Sequence, residues 1–191
     1  MVWFGVSSFW GHLRHFASVA IATENVDSRD WMTADDPLEL TARVAEALGS
    51  PVRGSPGPSS SQEESLVDAL GRDLWLDFVA DTGDDVAVSR AVARLIFAEY
   101  ELPDPDAAGS FLCAPRGEIL LFGGDTAYPV ATAQEITNRV IVPFNQVLET
   151  LPSGPPRVLL GIPGNHDWYD GLDGFARMFR RNPDEDRKSV V

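Results

Sequence analysis

Residues 157–167 read RVLLGIPGNHD, and this stretch decides the expected fold. Its first six residues are mostly valine, leucine and isoleucine, which predicts a strand over 157–162. Directly after that strand, Asn165, His166 and Asp167 follow a glycine in a short turn. An amide, an imidazole and a carboxylate at one strand end are far rarer than a plain loop, so the stretch indicates a functional site as well as a strand.

Two earlier segments repeat the same arrangement of an apolar strand and a polar turn. Leu74 to Ala80 is a strand candidate, mostly apolar as a buried parallel strand is expected to be, and it is followed by DTGDD at 81–85. Residues 118–122 are a strand candidate followed by GGD at 123–125. Either turn alone is a weak signal. In open α/β sheets, however, ligands bind outside the carboxyl ends of the strands, so the three turns together predict one site.

The segments between the strands have helical spacing. They predict a helix after the first strand, a helix opened by a capping box at Thr132 and Glu135 and interrupted at Pro143, and a final helix after 167. The order β-α-β-α-β-α is typical of an α/β fold with mostly parallel strands and crossover helices. The apolar positions expected to pack are Val88, Ala91, Val92, Leu95, Ile96, Ile136, Val140, Phe144, Val147, Leu148, Leu172, Phe175 and Phe179.

The donors at the three strand ends are carboxylates and an amide, with one imidazole nearby. Hard oxygen donors with one nitrogen base suit divalent metals such as Mn, Fe, Zn or Mg. Gly124 and Gly164 fit this interpretation, because a chain that turns sharply under a metal needs backbone angles and close approaches that glycine permits.

The strings LDFVADTGD, LLFGGDTAYP and GIPGNHDWYDGL resemble the calcineurin-like metallophosphoesterases, over about residues 74–180. The resemblance implies part of a metallophosphoesterase sandwich that hydrolyses phosphoesters with two divalent metal ions and a bridging hydroxide. It implies that Asp81 ligates the first metal, Asn165 ligates the second and Asp125 bridges the two. His166 would not ligate a metal but would stabilise charge on the phosphoryl group or protonate the leaving oxygen.

The chain departs from the family pattern in two ways. Gly83 stands where the D-x-H signature has its histidine; Asp84 or Asp77 could substitute, and we favour Asp84 as a metal ligand because Asp77 lies within the strand. Asp84 or Asp85 could equally be an N-cap. The chain has three histidines, and we interpret His12 and His15 as ordinary helix residues. Since a downstream G-H-x-H signature is lacking, we expect 66–191 to be a C-terminally truncated phosphoesterase domain.

The first part of the chain has a different character. Residues 1–50 are expected to form a helical segment, with a helix beginning after Asp35, Asp36 and Pro37 and ending near Gly49, and 51–65 is expected to be a linker rich in Pro, Gly and Ser. Residues 1–23 predict an amphipathic helix that packs on the core or makes weak contact with a membrane surface or a partner. Its apolar stripe is Phe9, Leu13, Phe16, Ala17 and Ala20.

Composition narrows the partners and the compartment. A net charge of −14 argues against binding a nucleic-acid backbone, but it allows a small-molecule or protein phosphoester if metal ions supply positive charge. The single cysteine, Cys113, excludes an intrachain disulfide and a cysteine-based zinc site, and we interpret it as a packing residue beside a strand. No apolar run approaches the roughly 20 residues of a membrane span, and no signal peptide is evident, so a cytoplasmic location is the default expectation.

Two functions remain open at this point. The first is a metal-dependent phosphoesterase, although these 191 residues alone need not be active. The alternative is a non-catalytic binding or scaffold module with a degenerate metal centre, which the absent histidines favour. A half-sheet of three strands would leave an exposed edge and an uncovered apolar face, so we also expect the chain to self-associate.

Overall fold

The computed structural model describes Leu13 and residues 36–49, 65–155 and 157–179. The α-helices are α1 Pro37–Ala47, α2 Leu66–Leu70, α3 Val86–Ile96, α4 Ala133–Ile136, α5 Val142–Leu148 and α6 Asp173–Phe179. A π-helix spans Thr137–Ile141 and a 3-10 helix spans Asp167–Asp170. The strands are β1 Leu76–Val79, β2 Tyr100–Pro103, β3 Phe111–Ala114, β4 Ile119–Phe122 and β5 Val158–Gly161.

A three-stranded parallel sheet with the order β1-β4-β5 forms the centre of the fold. Val79, Phe122 and Gly161 are register partners, so the three strands reach their carboxyl ends at the same level. The prediction of a mixed α/β fold with parallel strands and crossover helices is therefore confirmed. All three predicted strands are present, each shorter by one to three residues than the apolar run that indicated it.

The core lies on one face of this sheet, against α3 and α5. Phe144 is fully buried and packs edge to face on Phe97 and tilted against Phe122, with ring centroids 5.7 Å apart in both pairs. Phe179 of α6 covers the same face, 5.7 Å from the Phe122 ring. The core positions predicted in the helices after β4 and β5 are thus confirmed at Phe144 and, at 3% exposure, at Phe175.

The helical stretch after β4 is divided, as Pro143 predicts. Thr132 caps α4 by accepting a hydrogen bond from the Glu135 amide at 3.2 Å. The π-helical turn then precedes α5, whose second residue is Pro143. Proline has no N–H to donate to the preceding turn, so the wider turn accommodates the missing hydrogen bond without ending the helix.

The burial predicted for β1 was wrong, and the packing predicted for α3 was right at some positions only. Strand β1 is an edge strand, and Leu76 and Phe78 are 48% and 57% exposed, because within the described residues only β4 pairs with it. In α3, Val92 and Ile96 are partly buried and pack against the core as predicted, whereas Leu95 is 62% exposed. The apolar stripe of α3 is wider than the contact that the small sheet and α5 provide.

An antiparallel hairpin of β2 and β3 was not predicted at all. It forms a separate two-stranded sheet inserted between α3 and β4. Its turn is held by Asp104, whose side chain accepts from the Asp106 amide at 2.9 Å, and by Gly109 at φ 89°. Cys113 lies in β3 and is exposed, so its interpretation as a packing residue was also wrong.

The helix predicted to begin after Asp35, Asp36 and Pro37 is present as α1. Asp36 caps α1 by accepting from the amides of Leu38 and Glu39 at 2.8 and 3.2 Å, and Gly49 follows the helix at φ 82°. Apart from Leu13, which is 46% exposed, the remaining predictions for 1–50, including the stripe from Phe9 to Ala20, and most of the linker 51–65 lie outside the described residues. Within the described part of the chain, no helix is both long and apolar enough to cross a membrane.

Candidate metal centre

The carboxyl ends of β1 and β4 continue side by side beyond the strands themselves. The Asp81 amide donates to the Gly124 carbonyl at 3.2 Å, and Gly83 forms a parallel bridge with Ala127. Asp81 and Asp125 both have left-handed backbone angles, with φ of 55° and 48°. At these residues the segments after β1 and β4 leave the sheet at the same level. Such uncommon backbone angles cluster at functional sites.

The side chains of these two aspartates converge on one phenol. The Tyr128 hydroxyl lies 2.5 Å from Asp81 Oδ1 and 3.0 Å from Asp125 Oδ2. Burial and the two neighbouring carboxylates raise the pKa of Tyr128 above its ordinary value. Both carboxylate oxygens therefore lie within hydrogen-bonding distance of the same hydroxyl.

Tyr128 was missed as a site residue in the sequence. Its signal is its position three residues after Asp125, in a turn whose other polar residue, Thr126, is fully buried. The Tyr128 amide donates to the Gly83 carbonyl at 3.1 Å, and this bond fixes the residue against the turn that follows β1. A tyrosine beside a proline is common in loops, so the spacing alone does not indicate the contact.

The turn after β5 is built on the other oxygen of Asp125. The His166 amide donates to Asp125 Oδ1 at 2.9 Å. Gly164 lies so close that a Cβ atom there would be 2.3 Å from the same oxygen, and one on Gly124 would be 2.6 Å from the Gly164 nitrogen. Both glycines are therefore required by close backbone approach, as the sequence predicted.

The His166 ring has a defined orientation. Its Nδ1 lies 2.7 Å from the Pro129 carbonyl oxygen. Because a carbonyl can only accept, Nδ1 carries the proton and Nε2 is the nitrogen that can exchange one. The ring packs against Tyr128 and Tyr169, with centroids 4.4 and 4.9 Å away.

Asp167 holds the turns after β4 and β5 together. It is fully buried and accepts from the Gly164 amide at 2.8 Å and from the Thr126 amide at 3.2 Å. Burial raises the pKa of the Asp167 carboxyl, and these backbone hydrogen bonds oppose that shift. The last residue of Gly-Asn-His-Asp thus has a structural role in positioning His166 next to Asp125.

The other two predicted ligands, Asn165 and Asp84, have hydrogen bonds to residues outside the group of Asp81, Asp125 and Tyr128. Asn165 is exposed and its Nδ2 donates to the Tyr169 hydroxyl at 3.2 Å. Asp84 accepts at its backbone carbonyl from Arg139 at 2.8 Å, and the N-cap of α3 is its neighbour Asp85. The roles of Asn165 and Asp84 as ligands stay predictions.

Asp77, the other substitute considered for the absent histidine, lies elsewhere. Its carboxylate accepts from the Gly117 amide at 2.9 Å, at the amino end of the sheet. It is register partner to Leu120, two residues before the end of β4. Asp77 is therefore separated from the turns that bring Asp81 and Asp125 together.

The donor set fits a divalent cation in its chemistry. Among the described residues, no three or more His, Cys, Asp and Glu side chains are grouped so that they could hold a metal ion. The cluster consists instead of the Asp81 and Asp125 carboxylates and the Tyr128 phenol, and oxygen donors of this kind suit hard divalent metals. Comparisons with models of protein families, with curated proteins and with solved structures find no match to this chain.

Proposed function

We propose that this chain carries metal ligands of a phosphoesterase that uses two divalent cations. The observation that supports this most directly is the convergence of Asp81 and Asp125 on one hydroxyl, with the His166 turn hydrogen-bonded to Asp125. Two carboxylates on neighbouring strand ends repel each other. They are stabilised in such proximity by a shared donor or by a cation.

Asp81 would hold one metal, Asp125 would hold both, and Asn165 would contribute an amide oxygen to the second. Asp84 is the proposed replacement for the missing histidine, and Tyr128 is a further oxygen donor within reach of both carboxylates. Bound divalent ions, with Mn, Fe, Zn and Mg as candidates, supply Lewis acidity and a water nucleophile at neutral pH. The substrate would be a small-molecule or protein phosphoester.

His166 is the proposed catalytic residue of the chain itself. The hydrogen bond from Nδ1 to the Pro129 carbonyl leaves Nε2 as the proton-exchanging nitrogen. A protonated Nε2 would donate to a phosphoryl oxygen or to the leaving oxygen. Tyr128 and Tyr169 pack against the ring and restrict its orientation, so the proton is delivered in one direction.

The proposal is tested by titrating metal-free protein with Mn²⁺ in a calorimeter and by following manganese-dependent hydrolysis of a generic phosphoester. We expect Asp125→Asn to weaken Mn²⁺ binding by at least about 100-fold, because it removes a charged ligand between two cations. Glu99→Gln, at an exposed residue that follows α3, removes the same charge and is the control. Equal Mn²⁺ binding by Asp125→Asn and Glu99→Gln would refute the metal centre.

The alternative function is a non-catalytic binding or scaffold module with a degenerate metal centre. This alternative is favoured by Gly83, which stands at the position of the usual histidine. A Cβ atom added there would lie 2.4 Å from the Thr126 carbonyl oxygen, so the turn excludes any side chain at this position. A module of this kind would bind fewer than two Mn²⁺ ions tightly. It would also hydrolyse no phosphoester, so the wild type and His166→Ala would give the same background rate.

A further inference from the structure

A second polar site lies at the amino end of the parallel sheet, opposite the candidate metal centre. It is a small pocket partly open to solvent, and Asp77, Arg116 and Arg157 are its charged lining residues. Phe97 and Leu159 contribute apolar walls. We call it the arginine pocket.

Arg157 is held at the edge of this pocket by the backbone. Its Nη1 donates to the Arg116 carbonyl at 3.0 Å and also to the Gly117 carbonyl. The Gly117 amide in turn donates to the Asp77 carboxylate, and a Cβ on Gly117 would lie 2.5 Å from the Asp77 nitrogen. The segment before β4 is therefore fixed between β1 and Arg157, with the guanidinium held in one place.

Arg116 has a defined position but no polar partner. Its guanidinium carbon lies 4.2 Å from the centroid of the Phe97 ring. Among the described residues it makes no side-chain hydrogen bond and no ion pair. Burial and the nearby Arg157 lower the pKa of Arg116 to about 10, so the group is still cationic at neutral pH.

The charges in the arginine pocket do not cancel. Two guanidinium groups share the pocket with one carboxylate, and Asp77 forms no ion pair within 4.0 Å among the described residues. The chain as a whole has a net charge of −14, so a local excess of positive charge is not a general property of its surface. Partly buried charges are normally paired, and two neighbouring guanidinium groups that share one carboxylate repel each other.

We infer that the arginine pocket binds a small oxyanion, a phosphate or a carboxylate group, between Arg116 and Arg157. Guanidinium groups present forked N–H donors that match both anions. The contact of Arg116 with the Phe97 ring restricts the position of the guanidinium before the anion arrives, which lowers the entropy lost on binding. The site is independent of the proposed metal centre because none of its residues contacts Asp81, Asp125 or His166 in the described structure.

The test uses the full chain, freed of metal ions, and titrates it with inorganic phosphate or with acetate at pH 7.5 and constant ionic strength. We expect saturable 1:1 binding of at least one of the two anions, and their relative affinity identifies the preferred class. Arg116→Gln should weaken that binding by at least about tenfold, because it removes a charged donor pair. Arg94→Gln, at an exposed position of α3, is the matched control and should bind as the wild type does.

Two further variants distinguish a loss of anion binding from misfolding and from a failure of the proposed metal centre. Arg116→Lys keeps the charge but loses the fork, so it should fold and still bind more weakly than the wild type. Asp125→Asn should retain the anion affinity, so a failed metal centre and a failed arginine pocket are distinguishable. Absence of saturable binding by the wild type, or equal binding by Arg116→Lys and the wild type, would overturn the inference.

Discussion

The two ends of the parallel sheet have opposite charge and are built in different ways. The carboxyl end has carboxylates in short turns, with glycines that allow the turns to approach within backbone contact. The amino end has long side chains. Arg157, just before β5, donates to the carbonyl of Arg116, which stands just before the neighbouring strand β4. The first arrangement depends on backbone conformation and the second on side-chain reach, so substitutions should affect them differently.

The largest expected effect is that of Gly164→Ala. The added Cβ would lie 2.3 Å from Asp125 Oδ1 and 2.5 Å from the Asp125 nitrogen, so the turns after β4 and β5 must separate. We expect the free energy of unfolding to fall by at least about 2 kcal/mol. Urea denaturation followed by circular dichroism measures it.

Gly154→Ala is the matched control, since its Cβ would lie 3.6 Å from the nearest atom, on Arg157. It should change stability by less than about 0.5 kcal/mol. Phosphate binding should survive in Gly164→Ala if the two ends of the sheet are independent. A Gly164→Ala protein as stable as Gly154→Ala would contradict the close packing of the carboxyl end.

Tyr128→Phe should have the next largest effect. It removes the hydroxyl that lies between Asp81 and Asp125, and the two carboxylates then face each other without a donor. Without metal, the free energy of unfolding should fall by about 1–2 kcal/mol, as for a hydrogen bond to a charged group. Tyr100→Phe, which loses a hydroxyl donating to the Leu95 carbonyl at an exposed position, should cost less in the same urea titration.

Asp170→Asn should show a smaller effect that depends on pH. Burial, with Asp173 and Asp167 nearby, raises the pKa of Asp170 from 3.8 to about 6, and its Oδ1 is buried without a hydrogen-bond partner. A carboxyl whose pKa is higher in the folded than in the unfolded state contributes its full stability when the pH is below the unfolded-state pKa. That contribution is lost as the pH rises through the folded-state pKa. Asp170→Asn should therefore be more stable than the wild type above pH 6, by about 1 kcal/mol given partial exposure.

The same difference should shrink as the pH falls from 6 to 4, because Asp170 is protonated in the folded state there and becomes increasingly protonated in the unfolded state. Thermal melts of the two proteins from pH 4 to pH 8 provide the comparison. A constant difference across this range would show that the substitution acts through packing and not through ionisation.

The smallest effect on stability, but a clear one on assembly, is expected for Phe78→Gln. Phe78 is 57% exposed on the edge strand β1, next to Leu76 at 48%, and an exposed apolar edge favours self-association. Sedimentation should show less association than in the wild type. Leu95→Gln, 62% exposed on α3, is the control for loss of one apolar side chain. A monomeric wild-type protein would contradict the prediction.

The parts of the structure that sequence could predict are those encoded by neighbouring residues. The strand and turn at 157–167 carry their apolar run and donors together, and the parallel order follows from three such segments. The burial of α5 was predictable because Phe144 and Val147, which follow Pro143, have helical spacing. Burial of β1 was not, because it depends on how many strands pair with it.

Contacts between distant residues gave no local signal. Tyr128 meets Asp81 only because the Gly83–Ala127 bridge extends the pairing of β1 and β4 beyond their ends. Arg116 and Arg157 are far apart in the chain and come together through the β4–β5 register. The β2–β3 hairpin lacks an alternating apolar pattern, since its side chains are exposed on both faces.

The left-handed backbone at Asp81 and Asp125 also constrains how this protein can change by mutation. Apart from glycine, asparagine and aspartate tolerate that conformation best, and an Asp codon becomes an Asn codon by a single-nucleotide change. The replacement that most easily removes a carboxylate therefore leaves the turn intact. If Asp81 and Asp125 bind metal as we propose, each could lose its carboxylate separately while the fold persists, which gives a short genetic route from the proposed enzyme to a binding module.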